Sequence, residues 1–467
     1  MNTPPLASGP EGPSSLRPLL DTVLEALGEG ARLRRGPLPA GGPAEVAARV
    51  RAALGDVLPD EGDPDALRHL VRAFAEGAAD PADPLCAAHL HCPPLAVAAA
   101  ADLAASVLNP SLDSWDQAPA ASELEAQVTR ALANEVYLRL PRGAGNCATS
   151  PHGPAPENDA LVTTGGTESN QLALLLAREI HGPGVQLICG ANAHHSLPRA
   201  AWLLGMPDPV TIPTLDPTAL ETTLSTLHGP LLVAATAGTT DTGQIDPLPE
   251  IAHLCARHRA RLHIDAAYGG GLLFSTRHRD KLTGVEAADT VTLDLHKLGW
   301  QPVAAGLLAV RDKNDLAALN QHADYLNAAD DTEAGLPDLL GRSLRTTRRP
   351  DILKIAVTLK TLGRTGLGAL VDQVCERARE FAQLVHDHPG FELHEPPTIS
   401  TVLFRPASAT DDAVAAVRRK LLTDGRAVLG RARAANRLWL KVTLLNPTTR
   451  PADLAGLLQL VEGTTPR

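Results

Sequence analysis

The chain has 467 residues, 44% of them hydrophobic and 20% charged, which is ordinary for a globular enzyme with a sizeable core. Its formal net charge is −11, and this acidic balance argues against nucleic-acid binding, which requires a basic face. The longest apolar run, at residues 95–108, is shorter than the roughly 18 residues of a membrane span. It predicts a buried helix, and we expect no membrane partner.

The first 85 residues predict a helical N-terminal region. Residues 1–17 are rich in Pro, Gly and Ser and are expected to be disordered. They have neither the basic start nor the apolar segment of a secretory signal. The six cysteines include no C-x-x-C pair, which favours reduced thiols in a cytoplasmic protein over a disulfide framework or a zinc site. These cysteines are Cys86, Cys92, Cys147, Cys189, Cys255 and Cys375.

From Leu161 onward, short apolar runs alternate with amphipathic helices, which is typical of βα units and a mainly parallel sheet. The predicted strands are Leu231–Thr236, Arg261–Asp265, Thr290–Leu295 and Gly306–Val310. Two helices are predicted, one at 168–180 with Leu172, Leu175, Leu176 and Ile180 on one face, and one at Leu248–Arg257 that buries Ile251, Leu254 and Cys255. This part of the chain is interpreted as a large domain over residues 86–365.

After about Gly366, helices alternate with strands predicted near Thr401–Phe404 and at Leu438–Leu444. This pattern favours a smaller α+β domain over residues 366–467. The chain is thus expected to form an α/β protein with a helical N-terminal region and two further domains.

Three places in the large domain combine a strand end with residues suited to chemistry. The turn TTGGTESN opens a helix, and such a glycine turn exposes N–H groups that suit a phosphate. Asp265 and Lys297 each follow an apolar strand. Desolvation at such a place lowers the pKa of a lysine toward the range in which the neutral amine can act as a nucleophile. Each feature alone has an ordinary explanation. The glycines could form a simple turn, Asp265 could be a helix cap or a loop residue, and Lys297 could be a solvated lysine.

Together the three features suit one cofactor, pyridoxal phosphate. The turn would anchor its phosphate, the carboxylate would pair with its pyridine nitrogen, and the lysine would hold its aldehyde as a Schiff base. The chemistry of the residues therefore predicts a pyridoxal-phosphate enzyme with Lys297 as the anchor.

The chain resembles the group II pyridoxal-phosphate decarboxylases of fold type I, which include aromatic amino acid, glutamate and diaminobutyrate decarboxylases. The resemblance covers about Ala87 to Thr449 and is carried by TTGGTESNQLALLLARE, ANAHHSLPRA, ATAGTTDTGQIDPL, HIDAAYGGG and DLHK. It is strongest toward the 2,4-diaminobutyrate and siderophore-type lysine decarboxylases, through NPSLDSWDQ, HADYLN, SLRTTRRPDILK and LWLKVTLLNPTT. The resemblance implies an aspartate aminotransferase-like fold with a mainly parallel seven-stranded sheet, in a homodimer with shared active sites.

The resemblance also implies roles for individual residues. Lys297 would form the Schiff base, Asp265 would bind the pyridinium nitrogen, and His194 would stack on the ring and help to place the substrate carboxylate. The complete cofactor set is Gly166, Thr167, His194, Thr239, Asp265, Ala267, Asp294, His296 and Lys297, with Gly166, Thr167 and Asp294 at the phosphate and Thr239 near the ring oxygen. Arg348 falls where the family has an arginine close to the active site.

Two positions depart from the family pattern. Leu295 stands where a proline usually precedes the His-Lys pair, which is a minor change. Leu339 stands where aromatic amino acid decarboxylases carry a loop tyrosine that protonates the α-carbon. Either another group protonates, with His194 and Tyr325 as candidates, or side reactions such as transamination and oxidative deamination become easier.

The predicted activity is decarboxylation of an L-amino acid, with a basic diamino acid such as lysine or 2,4-diaminobutyrate as substrate and polyamine or siderophore biosynthesis as its setting. Asp113 and Asp116 are candidates to hold the distal ammonium group, unless they only cap or solvate a loop, and Asp116 is preferred. The alternatives are an aminotransferase using Arg431 or Arg433, an oxidative deaminase, a decarboxylase of aromatic or acidic amino acids, and a cofactor-binding subunit without turnover.

Overall fold

The computed structural model describes residues 4–137 and 157–465, so Cys147 lies outside the described residues. Contacts between Cα atoms divide the chain into two compact units. The central unit is Pro94–Asp372, and the terminal unit combines Met1–Pro93 with Gln373–Arg467. The predicted domain boundaries at residues 85 and 365 stay a prediction.

The described residues form fifteen α-helices. The helices are α1 (Gly12–Arg34), α2 (Gly42–Leu54), α3 (Ala66–Gly77), α4 (Ala96–Leu108), α5 (Pro119–Tyr137), α6 (Gly166–His181), α7 (Ser196–Leu203), α8 (Pro217–Thr226), α9 (Leu248–His258), α10 (Leu295–Leu298), α11 (Asp324–Asn327), α12 (Ala329–Glu333), α13 (Ile352–Asp387), α14 (Asp411–Thr423) and α15 (Pro451–Thr464). Helix α13 has a break at Gly363, whose φ of 61° lies in the left-handed region that glycine adopts without steric cost.

The strands form two sheets. They are β1 (Asp159–Thr163), β2 (Gln186–Gly190), β3 (Val210–Ile212), β4 (Leu231–Thr236), β5 (Arg261–Ala266), β6 (Thr290–Asp294), β7 (Gly306–Val310), β8 (Phe391–Leu393), β9 (Thr401–Pro406), β10 (Gly430–Ala434) and β11 (Arg437–Thr443). The seven-stranded sheet has the order β1-β7-β6-β5-β4-β2-β3, and the four-stranded sheet has the order β10-β11-β9-β8.

The seven-stranded sheet of the central unit is parallel except at β7, which runs antiparallel to both of its neighbours. Strands β4 and β5 are buried at every position, because helices cover both faces of a parallel sheet. Helix α6 packs against β1, β5, β6 and β7. Strands β1, β2, β4, β5 and β6 all end at one edge, so their last residues and the loops after them meet there.

The four-stranded sheet of the terminal unit is fully antiparallel. Its core includes Phe381, Phe391 and Phe404, whose rings meet at centroid distances of 5.2 and 5.9 Å. The prediction of a mainly parallel seven-stranded sheet together with a smaller α+β region is therefore confirmed.

Three local predictions differ from the structure. Helix α1 begins at Gly12, inside the stretch expected to be disordered, because Pro13 suits the first turn of a helix. Helix α4 buries only one alanine face, and Leu108 at its end is 70% exposed. Helix α6 turns Ile180 outward, since the smaller Ala173 and Ala177 allow its backbone to lie close to the sheet. No helix of residues 4–137 or 157–465 is long and apolar enough to cross a membrane.

Candidate active site

The glycine turn between β1 and α6 approaches neighbouring side chains so closely that an added Cβ atom would crowd them. Gly165 has φ 153°, and a Cβ atom there would lie 3.0 Å from His296 Cε1. A Cβ atom on Gly166 would lie 3.0 Å from Ala267 Cβ and 3.2 Å from Asp294 Oδ2. The first N–H groups of α6 lack partners within the helix and form its positive end. The turn is therefore a suitable cradle for a phosphate.

Glu168 fixes this turn from the first turn of α6. Its Oε2 accepts hydrogen bonds from the Thr164 N–H (2.6 Å) and the Thr164 hydroxyl (2.7 Å). Its Oε1 accepts from Arg345 Nε at 3.0 Å. The arginine neutralises the glutamate, so the negative charge that fixes the turn does not oppose an incoming anion.

Lys297 lies on the short helix α10 directly after β6. Its Nζ is 2.8 Å from Asp294 Oδ2, and His296 Nε2 is 3.5 Å from the same oxygen. The Asp294 side chain is 2% exposed, and its Oδ1 is buried with no hydrogen-bond partner among the described residues. Burial lowers the pKa of His296, although Asp294 opposes this effect. An unpaired oxygen of this kind is costly unless a further partner occupies the site.

Asp265 closes β5 and is 5% exposed. Its Oδ1 accepts from the Ala267 N–H at 3.1 Å, and its Oδ2 accepts from Asn170 Nδ2 at 2.8 Å. These two bonds hold the carboxylate at the strand end. A carboxylate accepts about four hydrogen bonds, so it retains capacity for a cationic partner.

A buried hydrogen-bond network extends from Asp265 to His194. Asn170 Nδ2 also donates to Ser196 Oγ at 2.9 Å, and Ser196 Oγ lies 2.8 Å from His194 Nδ1. On its other side, Asn170 Oδ1 accepts from His263 Nε2 (3.0 Å) and Thr292 Oγ1 (2.8 Å). The sequence analysis assigned no role to Asn170, Ser196 or His263. One signal was available, because His263 and Asp265 are two residues apart and share a face of β5.

His194 is half-buried in the loop between β2 and α7, and its ring lies 4.2 Å from that of His195. Burial lowers its pKa, with His195 and Lys297 acting in the same direction and Asp265 and Asp294 opposing them. Thr239 is buried in the loop after β4 and shares a hydrogen bond of 2.8 Å with Thr242. The N–H of Ala237, in the same loop, donates to the Asp265 carbonyl at 2.8 Å.

The remaining three predicted residues are not bonded to this group. Asp116 is exposed, and Tyr325 is 82% exposed. Arg348 is 2% exposed and pairs through Nη1 with Glu125 at 2.9 Å. Within residues 4–137 and 157–465, no hydrogen bond or ion pair joins these three residues to the site.

The site fits pyridoxal phosphate. A glycine cradle, a partly buried lysine and a buried carboxylate lie on adjoining strand ends, and Asp294 Oδ1 is an orphaned buried atom beside the cradle. The cofactor requires an anion site, an amine and a partner for its ring nitrogen, and the residues supply one of each.

A sequence profile described as the "Pyridoxal-dependent decarboxylase conserved domain" matches residues 57–407. The chain belongs to this family. It is therefore a pyridoxal-phosphate-dependent carboxy-lyase, as the sequence analysis predicted.

Relatives and solved structures support the same assignment. The chain is 39% identical over 432 residues to L-2,4-diaminobutyrate decarboxylase of Rhizobium meliloti (strain 1021), covering 88% of this chain and 84% of the relative. It is 32% identical to L-2,4-diaminobutyrate decarboxylase of Acinetobacter baumannii, covering 86% and 83%. A crystal structure of the glutamate decarboxylase domain of a diaminobutyrate-pyruvate transaminase and L-2,4-diaminobutyrate decarboxylase from Vibrio parahaemolyticus matches with TM-score 0.82 and 27% identity, covering 98% and 97%.

Proposed function

We propose that this enzyme decarboxylates a basic diamino acid to the corresponding diamine and CO2, with L-2,4-diaminobutyrate as the first substrate to test and lysine as the second. The observation that carries the proposal is the 39% identity, over 88% of the chain, to a relative named L-2,4-diaminobutyrate decarboxylase. The enzyme would act as a homodimer in the cytoplasm, and its diamine would serve polyamine or siderophore biosynthesis.

The cofactor roles follow the geometry of the strand edge. Lys297 would hold the cofactor covalently, the N–H groups of Gly166 and Thr167 would bind its phosphate, and Asp265 would pair with its ring nitrogen. When bound, pyridoxal phosphate withdraws electrons from the carbon that loses CO2. His194 would lie on the ring face, with Ala267, Thr239 and His296 around it.

The predicted phosphate contact of Asp294 is opposed by charge. An ionised carboxylate repels a phosphate, and the present partner of Asp294 is the Lys297 ammonium at 2.8 Å. A lysine that holds the cofactor covalently no longer supplies that ammonium partner. Asp294 would then contact a donor beside the phosphate, such as a water or an amine.

Arg348 offers a place for the substrate carboxylate. Its Nη1 is committed to Glu125, whereas Nε and Nη2 are buried without a hydrogen-bond partner among the described residues. These two donors form one edge of the guanidinium group and match a carboxylate in bidentate geometry. A small rearrangement on substrate entry would have to expose this edge.

The distal ammonium group of the substrate is assigned to Asp116. Asp113 is only 9% exposed and already accepts from Gln117 Nε2 at 2.6 Å, which leaves the exposed Asp116 as the more available carboxylate. Since Asp116 is exposed and has no hydrogen bond or ion pair with the Lys297 site among the described residues, we propose that it serves the site of the partner in the homodimer.

His194 and Tyr325 are the two candidate proton donors after CO2 loss. Leu339 is 7% exposed and packs with Leu112 and Ala118, so it supplies no donor. This observation favours a second candidate activity, in which molecular oxygen accepts two electrons after decarboxylation, water supplies the aldehyde oxygen, and the products are CO2, an aldehyde, ammonia and hydrogen peroxide. The two activities differ in product, and mass spectrometry separates them.

The test is a product screen with the purified holoenzyme on L-2,4-diaminobutyrate, lysine, glutamate, aspartate and tyrosine, recording CO2, amine and aldehyde. We expect the highest turnover with a diamino acid and an amine as the main product. Lys297→Ala should lose turnover and the covalent cofactor absorbance, while Lys360→Ala, at an exposed site of the same unit, should keep both. Preference for an acidic or aromatic substrate would overturn the proposal.

A further inference from the structure

The amide of Asn170 has a single orientation that satisfies its neighbours. An ionised carboxylate only accepts hydrogen bonds, so the amide atom 2.8 Å from Asp265 Oδ2 must be the NH2 group. That NH2 group also lies 2.9 Å from Ser196 Oγ, which therefore accepts there and keeps its own proton free to donate. The amide oxygen then faces His263 and Thr292, both of which donate to it.

The free Ser196 proton has one acceptor in this network. Ser196 Oγ is 2.8 Å from His194 Nδ1, and the Ser196 backbone N–H points at the same nitrogen from 3.3 Å. Two donors directed at Nδ1 require that this nitrogen accept. A neutral imidazole with an accepting Nδ1 carries its proton on Nε2.

We propose that Asn170 and Ser196 are positioning residues which fix His194 as a neutral ring with its proton on Nε2, and which hold the Asp265 carboxylate through the same amide. His194 then presents an N–H donor from Nε2, a group suited to a carboxylate or to developing negative charge. The protonation state follows from the network alone, whereas its use on the substrate rests on the role proposed above for His194.

Burial and charge support the neutral form. Asn170 has no exposed surface and Ser196 is 1% exposed, so water does not compete for these bonds. The groups that act on His194 are Asp265 and Asp294, which favour the imidazolium, and His195 and Lys297, which oppose it. Desolvation is the largest effect, and together with His195 and Lys297 it lowers the His194 pKa against the two carboxylates.

The first experiment reads the ring directly. Solid-state ¹⁵N spectra of the holoenzyme, labelled at the histidine ring nitrogens, distinguish a protonated from an accepting nitrogen, and subtraction of a His194→Gln spectrum isolates His194. We expect an accepting Nδ1 and a protonated Nε2 at neutral pH. A protonated Nδ1, or an imidazolium, would overturn the proposal.

The second experiment separates the two positioning residues. Ser196→Ala should make Nδ1–H detectable on His194, because only the longer backbone bond then opposes it, while Ser196→Thr should restore the original signals. Asn170→Ala should also weaken binding of pyridoxal phosphate, by roughly 10- to 100-fold, because Asp265 loses a buried donor. The matched control is Ser169→Ala, an equally buried serine of α6 whose hydroxyl bonds to Thr163 and Leu307.

The outcomes distinguish this proposal from the proposed substrate. If Ser196→Ala leaves the His194 signals as in Ser169→Ala, the positioning role is wrong whatever the substrate is. If the signals change as expected but no diamino acid is decarboxylated, the network stands and the proposed function fails. Should Asn170→Ala not fold, Ser196→Ala and Ser196→Thr still decide the result, since each changes a single small side chain.

Discussion

Buried polar side chains around Asn170 are stable only because each one is paired. His263 is the extreme case, since it has no exposed surface and burial lowers its pKa to about 4. It donates from Nε2 to Asn170, and its Nδ1 accepts from Thr290 Oγ1 at 2.9 Å. Protonation of Nδ1 would turn this acceptor into a donor, so the Thr290 hydroxyl would have to rotate and accept, and the buried ring would carry a charge.

His263 should therefore make the protein sensitive to acid. The unfolded histidine binds a proton near pH 6.5 and the folded one only near pH 4, so the free energy of unfolding is highest above pH 6.5. The free energy of unfolding should fall by about 3 kcal/mol as the pH is lowered from 6.5 to 4, because each unit of difference between the unfolded and folded pKa corresponds to 2.3RT. Urea unfolding across this pH range measures the slope.

A matched pair of variants assigns that slope. His263→Gln removes the titrating ring and should flatten the slope even if the variant is less stable at neutral pH. His228→Gln, at an exposed site of the central unit, should leave the slope unchanged. Equal slopes in all three proteins would show that His263 titrates normally in the folded state.

At the scale of elements, the turn that starts α6 has to meet two requirements. Its backbone must lie close to His296 and Asp294, and the N-terminal end of the helix must stay open. Gly166→Ala should weaken binding of pyridoxal phosphate by roughly 10- to 100-fold, because the new Cβ would lie 3.0 Å from Ala267 Cβ and occupy the cradle. Absorbance titration of the apoenzyme measures the dissociation constant. The control is Gly184→Ala, because Gly184 follows the same helix and an added Cβ there has no atom within 4 Å. This variant should bind pyridoxal phosphate normally. An equal loss of affinity in it would indicate a general effect of alanine on folding.

The predicted elements show which patterns the sequence reveals. Continuous apolar runs identified β4, β5, β6 and β7, because strands buried on both faces are apolar throughout. Strands β2, β3, β8 and β10 were not predicted. Strands β3 and β8 have only three residues, and β10 alternates buried with exposed positions at the sheet edge. Such strands depend on their partners more than on their own composition.

The candidate site was predictable as far as its residues lay at strand ends. Asp265 and Lys297 each follow an apolar run, and a glycine turn marks the start of α6. Asn170 could not be found in this way, because its partners lie 26 to 122 residues away and meet only when α6 is laid on the sheet. Helical periodicity also could not decide whether Ile180 or Ala177 faces the sheet, because the apolar residues of α6 fit two neighbouring faces of the helix.

At the scale of the whole molecule, the position of Asp116 makes a prediction about assembly. Asp116 is exposed and has no hydrogen bond or ion pair with the Lys297 site among the described residues, and the role proposed for it is at the site of a second chain. Closed homodimers place the same surface patch of both chains at one interface, which permits a residue of each chain to reach the site of the other. Activity of mixed dimers tests this arrangement directly.

The experiment combines two weakened chains. Lys297→Ala lacks the cofactor anchor, and Asp116→Asn retains it but lacks the carboxylate. In a mixed dimer the only intact anchor then faces the only intact Asp116. Mixed dimers that are co-expressed and isolated through two affinity tags should have roughly half of the wild-type turnover, since each holds one complete site out of two.

Refolded mixtures of Lys297→Ala with Lys297→Ala,Asp116→Asn provide the matched control, because neither chain carries an anchor and no turnover should return. If Asp116 serves its own chain, the mixed dimer of the two single variants keeps only the weak turnover of Asp116→Asn. If the mixed dimer has only this weak turnover but still prefers diamino acids, another carboxylate binds the distal ammonium group. Restored turnover that favours L-2,4-diaminobutyrate over glutamate would place Asp116 of one chain at the substrate of the other, because a carboxylate attracts the distal ammonium group and repels a distal carboxylate.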